Sequence, residues 1–240
     1  MNERELWDSR TRRLLGDQAS DRLAEKHVLV LGLGGVGGYV AEFLARCGVG
    51  KLTLVDGDKV AASNLNRQLP ALCSTVGEYK AEIMARRLAD INPAGVFTPV
   101  ARFVTPEGVA ELLDSAPFDG AADAIDDVAA KVAFLLECRR RGLAVVSSMG
   151  AGNKLDPAQV TTADIGKSFG CPLARVVRKK LREAGVTKGV RAVFSPEVVK
   201  TDGGFGTVSY MTAAFGAACA AELLRQLGAI LPQKQPHLHL

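Results

Sequence analysis

His27-Val-Leu-Val-Leu-Gly-Leu-Gly-Gly-Val-Gly-Gly38 decides the fold. The apolar run that opens it is short and rich in leucine and valine, the pattern of a strand buried on both faces of a parallel sheet. Glycines follow at once, and residues 39–47 then carry helical spacing up to Gly48, a plausible helix end. Lys51-Leu-Thr-Leu-Val-Asp56 supplies a second strand and closes a βαβ unit. Glycines between strand and helix let the backbone turn tightly, and the amides at the helix N-terminus can meet phosphate. Gly32, Gly34 and Gly37 have G-x-G-x-x-G spacing, with Gly35 and Val36 between them, and Asp56 ends the next strand, where an acid binds ribose hydroxyls. That combination points to a nucleotide without separating a dinucleotide from ATP.

Outward from this unit, helical patterns at 81–91 and 131–141 alternate with strand patterns at 96–103, 119–125 and 143–147. Asn92-Pro93 stops the first of these helices, and Thr105-Pro106-Glu107 opens a further one with Thr105 as N-cap. The alternation predicts an α/β protein with a Rossmann-like, doubly wound, mostly parallel sheet. It is expected to stop after Gly150, giving way to a basic helical and loop insertion with a helix at 172–184. Residues 207–227, rich in Ala, predict a buried C-terminal helix, and the tail at 232–240 reads as loose. The expected organisation is one domain over 1–240. It divides into an N-terminal helical arm (1–24), a nucleotide-binding core (25–150), a basic substrate-binding segment (151–205) and the C-terminal helix (206–228).

The 240 residues are 48% hydrophobic, enough for a sizeable core. No run approaches the about 18 apolar residues of a membrane span, and the charged N-terminus has no signal-peptide stretch, so the expected location is the cytoplasm. Five cysteines, at 47, 73, 138, 171 and 219, form no C-x-x-C pair, which argues against structural zinc and a disulfide framework. Cys47, Cys138 and Cys219 read as small buried residues; Cys171, before Pro172 in a polar stretch, is open. Net charge is +4, yet residues 167–200 hold nine Lys/Arg against two Asp/Glu, leaving −3 on the rest of the chain. Such a concentration suits an anionic partner, although a solvated helix face would carry the same residues.

Beyond the glycine loop, Ser63-Asn-Leu-Asn-Arg-Gln68 follows Asp56-Gly-Asp58 and packs amide and guanidinium groups where phosphates should lie. Arg67 can clamp phosphate oxygens in a bidentate way, and Lys80, at the start of the next helix, can act as a point charge. A hydride-transfer enzyme, holding only a pyrophosphate, would not need both. Asp123-Ala-Ile-Asp126-Asp127 ends a strand near the expected crevice, where a carboxylate can hold Mg²⁺ on a triphosphate.

Gly32-x-Gly-Gly-Val-Gly37, Asp56-x-Asp58, Asn64-x-Asn66-Arg-Gln68, Lys80 and Asp126 resemble the adenylation site of the ubiquitin-activating-enzyme-like superfamily. The resemblance implies that Mg-ATP adenylates a carboxylate, that the enzyme is a homodimer, and that an arginine of the N-terminal segment enters the other subunit's site. Ser9-Arg10-Thr11 is similar to that segment, so the role falls to Arg10, with Arg13 as the fallback. Gly150-Ala-Gly-Asn-Lys-Leu-Asp-Pro157, Asp164-Ile-Gly-Lys167 and Cys171-Pro-Leu-Ala-Arg175 resemble the tRNA threonylcarbamoyladenosine dehydratase branch. That branch uses ATP to cyclise the threonylcarbamoyl group on an adenosine beside the tRNA anticodon. Catalytic roles are then implied for Arg10, Arg67, Lys80 and Asp126, with Asp126 also the metal ligand, and no cysteine nucleophile is required. Lys167, Arg175, Arg178, Lys179, Lys180 and Arg182 become the tRNA-binding candidates. A sulfur-relay protein is a further candidate partner. The segment is poor in aromatics, with Phe169 and Phe194 alone, so base stacking is not its evident mode.

Three other functions stay in view. An activator of a small sulfur-carrier protein would usually bring two C-x-x-C pairs, absent here. An NAD-dependent oxidoreductase is disfavoured by Arg67 and Lys80, and a non-catalytic RNA-binding module by the full set of phosphate-site residues.

Overall fold

The valine- and leucine-rich runs form the middle of one seven-stranded sheet, and the computed structural model describes residues 7–200, 202 and 204–230. The strands are β1 (His27–Leu31), β2 (Lys51–Val55), β3 (Val96–Val100), β4 (Gly120–Asp123), β5 (Ala144–Ser148), β6 (Thr161–Asp164) and β7 (Arg191–Phe194). Their order is β3-β2-β1-β4-β5-β7-β6. Every pairing is parallel except β6 with β7, so the antiparallel strand is at the edge.

Eight helices accompany the sheet among the described residues: α1 (Ser9–Leu15), α2 (Asp17–Glu25), α3 (Gly37–Arg46), α4 (Lys80–Ile91), α5 (Val109–Asp114), α6 (Val128–Arg141), α7 (Pro172–Glu183) and α8 (Ser209–Gln226). Strand side chains alternate between the two faces, and the core divides accordingly. Val28 and Val30 pack with Leu44 of α3, Met84 of α4 and Phe215 of α8. Leu29 and Leu31 pack with Leu112 of α5, Phe134 of α6 and Val177 of α7. The connections leave β1 in opposite senses toward β2 and β4, which opens a crevice at the carboxyl ends of these strands, the place where doubly wound sheets bind ligands.

The fold class is as expected from the sequence. The expected stop of the alternation after Gly150 is corrected: β6 and β7 continue the sheet within the basic segment, and β7 pairs in parallel with β5. Both are four residues long; β6 has no buried position, and β7 buries only Ala192, Val193 and Phe194, a shorter run than that of β1. The helix expected at 105 begins as a tight turn, Pro106–Gly108, and Thr105 makes no side-chain cap. Helix α8 is buried along Met211, Phe215, Cys219 and Leu223, as its composition suggests. The 232–240 tail and the first six residues of the N-terminal arm lie outside the described residues. No helix among the described residues is long and apolar enough to cross a membrane.

Candidate functional site

A cavity of about 500 Å³ opens at the carboxyl ends of β1, β2 and β4. Its floor is the glycine loop. Gly32 has φ +86°, and a Cβ there would stand 2.9 Å from backbone and side-chain atoms of Ala124 and Ile125. Gly37 has a different job: its Cβ would stand 1.7 Å from the Gly32 carbonyl oxygen, so only glycine lets α3 start this close to β1. Gly34, Gly35 and Val36 line the cavity, whereas Gly37 does not.

Asp56, at the end of β2, accepts hydrogen bonds from the Leu33 amide (2.7 Å) and the Asp58 amide (2.8 Å). It thereby staples the glycine loop to the neighbouring strand. Burial pushes its carboxyl above the usual range, against the downward pull of these amides and of Lys80. Lys80 starts α4, is 3% exposed and places Nζ 2.7 Å from Asp58 Oδ2. Arg67 donates from its guanidinium to the Ser63 carbonyl (2.9 Å) and to Asn66 Oδ1 (2.8 Å). Gln68 Oε1 is buried without a hydrogen-bond partner, an acceptor that a ligand hydroxyl or amine would satisfy.

Asp56, Asp58, Arg67, Gln68, Lys80 and Asp126 all line this one cavity. Asn64 and Asn66 do not. Asn64 accepts the Ala61 amide (3.1 Å), and Asn66 donates to the Thr207 carbonyl (3.1 Å) while its own amide oxygen holds Arg67. The pair shapes the loop that presents Arg67. The three nearby aspartates also separate. Asp123 is buried in an ion pair with Lys131, whereas Asp126 and Asp127 are both exposed at the cavity wall, Asp127 also capping α6 by accepting the Ala130 amide (2.7 Å). Among the described residues, no group of three or more His, Cys, Asp or Glu stands together as a metal cage. Asp126, with Asp127 beside it, does fit Mg²⁺, which takes one or two carboxylates and leaves its other positions to phosphate and water.

Arg10 is exposed on α1 and does not reach this cavity in its own chain. Its neighbours Trp7, Asp8 and Thr11 line a second cavity with Gly50 and Asn92, which precede β2 and β3, at the other end of the sheet. Arg13 is likewise exposed, and Arg12 between them is engaged by Asp8, Asp17 and Asp21 at 2.9–3.3 Å.

Along the basic segment, Lys167, Arg175, Lys179, Lys180 and Arg182 are exposed. Arg178 is different: it donates to the Ser168 carbonyl and to Ser168 Oγ, both at 2.6 Å. Ala174, Val177 and Leu181 bury the opposite face of α7, and Leu173, near its start, lines the cavity. The basic helix therefore begins at the cavity wall. Burial pushes the Cys138 thiol up to about 12 and raises Cys47 and Cys219 as well. Cys171, open in the sequence, is buried.

Sequence reasoning missed several lining residues, among them Arg102, Phe103, Phe205 and Thr212. Arg102 and Phe103 follow the end of β3, and their place after a parallel strand was a usable signal. Phe205 and Thr212 come to the cavity through the path of the chain alone.

A glycine-floored crevice on a doubly wound sheet, ringed by Asp56, Arg67 and Lys80, defines a nucleotide-binding α/β protein of the adenylating type. The ThiF family model matches residues 8–239. The tRNA threonylcarbamoyladenosine dehydratase of Bacillus subtilis (strain 168) is 44% identical over 189 residues, which are 79% of this chain and 74% of that protein. The crystal structure of the Escherichia coli tRNA N6-threonylcarbamoyladenosine dehydratase with ATP superposes with a TM-score of 0.90 at 38% identity, covering 95% of this chain and 96% of that one. The same enzyme with AMP gives a TM-score of 0.91 at 39% identity, covering 95% and 97%. The chain belongs to the ThiF family, in its tRNA threonylcarbamoyladenosine dehydratase branch.

Proposed function

We propose that the protein uses ATP to dehydrate, and so cyclise, threonylcarbamoyladenosine in tRNA by adenylating its carboxylate. One observation carries the reading: a single cavity brings the glycine loop, Asp56, Arg67, Gln68, Lys80 and Asp126 together. The relatives' names supply the substrate.

In the first step a carboxylate oxygen attacks the α-phosphorus of ATP, and pyrophosphate leaves. In the second, a nucleophile within the same modified nucleoside attacks the acyl carbon, the ring closes and AMP leaves with the carboxylate oxygen. The net loss from the nucleoside is one water. Asp56 receives the ribose hydroxyls, and the amides of Gly34, Gly35 and Val36 face the phosphates. Arg67 and Lys80 stabilise the charge that grows on the phosphate oxygens, Lys80 leaving Asp58 as the phosphates arrive. Mg²⁺, held by Asp126, would neutralise phosphate charge.

Arg10 completes the set from a second subunit, because in its own chain it stands at the far end of the sheet. The active form is accordingly a homodimer, working in the cytoplasm. A sulfur-relay protein is a candidate further partner. Lys167, Arg175, Lys179, Lys180 and Arg182 contact RNA phosphates, and Arg178 supports them through Ser168.

The test is ATP consumption by the purified protein with and without tRNA carrying threonylcarbamoyladenosine, followed by mass analysis of the nucleosides. AMP and pyrophosphate release with loss of one water from the modified nucleoside supports the reading. ATP binding with no change in the tRNA sinks it and leaves an adenylating enzyme for another carboxylate.

A further inference from the structure

Two phenylalanines stand on the walls of the cavity, each seated on a glycine. Phe103 lies over Gly57, between Asp56 and Asp58, on the wall assigned to the nucleotide. Phe205 lies over Gly152, and Met149 and Thr207 line the same cavity. A Cβ on residue 152 would fall 2.0 Å from Phe205 Cζ, so glycine there makes room for the ring.

Phe205 is 80% exposed, so interior packing does not account for its placement. Its loop is nevertheless tied down. The Asn153 amide donates to the Gly206 carbonyl (2.8 Å), and the Gly206 amide donates to Asn153 Oδ1 (2.7 Å). One residue further on, the Thr207 carbonyl accepts from Asn66, the residue that also holds Arg67. Asn153 itself is the one non-glycine residue among those described with positive φ, at 52°. Asparagine tolerates that region better than most residues, and such strain persists where the surrounding structure over-determines it. The reciprocal clasp, the strained residue and the glycine seat all hold one exposed aromatic ring at the cavity edge where the basic helix α7 begins.

We infer that Phe205 is a stacking platform for a nucleobase of the single-stranded RNA substrate. The inference rests on the proposed function and adds the residue that grips the base. Proteins that recognise RNA loops stack unpaired bases on aromatic side chains, while cations such as those along α7 track the backbone. The basic segment at 167–200 has few aromatics of its own, and the ring assigned to stacking lies just beyond it.

The test compares wild type with Phe205→Ala, Asn153→Ala and Phe205→Trp, the last in a Trp7→Phe background. The readouts are KM for modified tRNA, KM for ATP, kcat, and affinity for a labelled anticodon stem-loop carrying threonylcarbamoyladenosine. Phe205→Ala should weaken stem-loop binding and raise KM for tRNA roughly 5- to 150-fold, with KM for ATP and thermal stability unchanged. Asn153→Ala should move the same constants in the same direction. Phe205→Trp should restore them, and its fluorescence should be quenched when the stem-loop binds. Unchanged RNA affinity in Phe205→Ala, or a shift in KM for ATP in its place, overturns the inference while wild-type turnover keeps the proposed function standing. A wild-type protein that leaves the modified tRNA unchanged overturns the proposed function itself.

Discussion

Lys131 Nζ lies 2.7 Å from Asp123 Oδ2, and neither side chain has any surface exposed. Lys131 also donates to the Ser148 carbonyl (3.0 Å) and to Ser147 Oγ (3.3 Å), and Ser147 Oγ donates to the same Asp123 oxygen (2.5 Å). The network ties the end of β4 to the end of β5, just behind two walls of the cavity. Breaking it from one side strands a buried charge. Lys131→Met should cost about 3–5 kcal/mol in denaturant unfolding, whereas Lys131→Met with Asp123→Leu should recover most of that loss. Equal instability of the single and double variants would show that the pair's charges are not what matters.

On the proposed mechanism Arg67 and Lys80 act on the ligand, Arg67 from an exposed loop and Lys80 from a buried helix start. Arg67→Ala should lower adenylation by about 10²–10³-fold or more while the thermal midpoint stays close to wild type. Lys80→Ala should lower it comparably but also leave Asp58 without its lysine. Exchange of labelled pyrophosphate into ATP measures both. Wild-type exchange by Arg67→Ala would remove this residue from the mechanism.

The cations of α7 divide by structure. Arg175→Glu, Lys179→Glu and Arg182→Glu combined should weaken tRNA binding and flatten its dependence on log salt by about 0.7–0.9 for each phosphate no longer neutralised. ATP affinity should not change. Arg178→Ala should behave differently, losing about 1–3 kcal/mol of stability because Ser168 loses its donor. A triple variant with wild-type RNA affinity and salt slope would make this face ordinary solvated surface.

Glu137 gives the stability a pH dependence. It accepts from Arg140 at 2.8 and 2.6 Å and from Arg141 at 2.7 Å, and these guanidinium groups hold its carboxyl at about 2. The unfolded chain titrates near 4.5. The folded value is the lower one, so the contribution is complete above about 4.5 and is lost as pH falls toward 2. Glu137→Gln should destabilise the protein at pH 6 by roughly 1 kcal/mol or less, given solvent screening of the pairs, and be nearly neutral at pH 2. A difference between the two proteins that does not shrink with falling pH would contradict this.

Much of this was legible in the residues because the determining interactions are local. The valine and leucine run of β1, the glycines after it and Asp56 one strand later each announce themselves, and Lys80 follows a turn that places it at a helix start. The strands β6 and β7 were not legible. Arg191–Phe194 is a strand because β5 offers it a free edge, and Thr161–Asp164 because β7 then offers another. Neither preference resides in four residues of mixed polarity. The same limit applies to the aspartates. Asp123, Asp126 and Asp127 look alike in sequence, and only the fold makes the first a buried counter-ion and leaves the other two at the cavity, Asp127 also as a helix cap.

What the sequence by itself determined is the nucleotide-binding half of this protein. The glycine loop and Asp56 lie within one βαβ unit and Arg67 and Lys80 follow it, so chain connectivity carries them to one cavity. Tertiary structure decided the other half. The ring of Phe205 is held at the cavity by Asn153, about fifty residues earlier, which clasps Gly206, and Arg10 stands away from the cavity because α1 packs at the far end of the sheet. Interactions between residues distant in sequence depend on the whole packed core, and no local pattern encodes them.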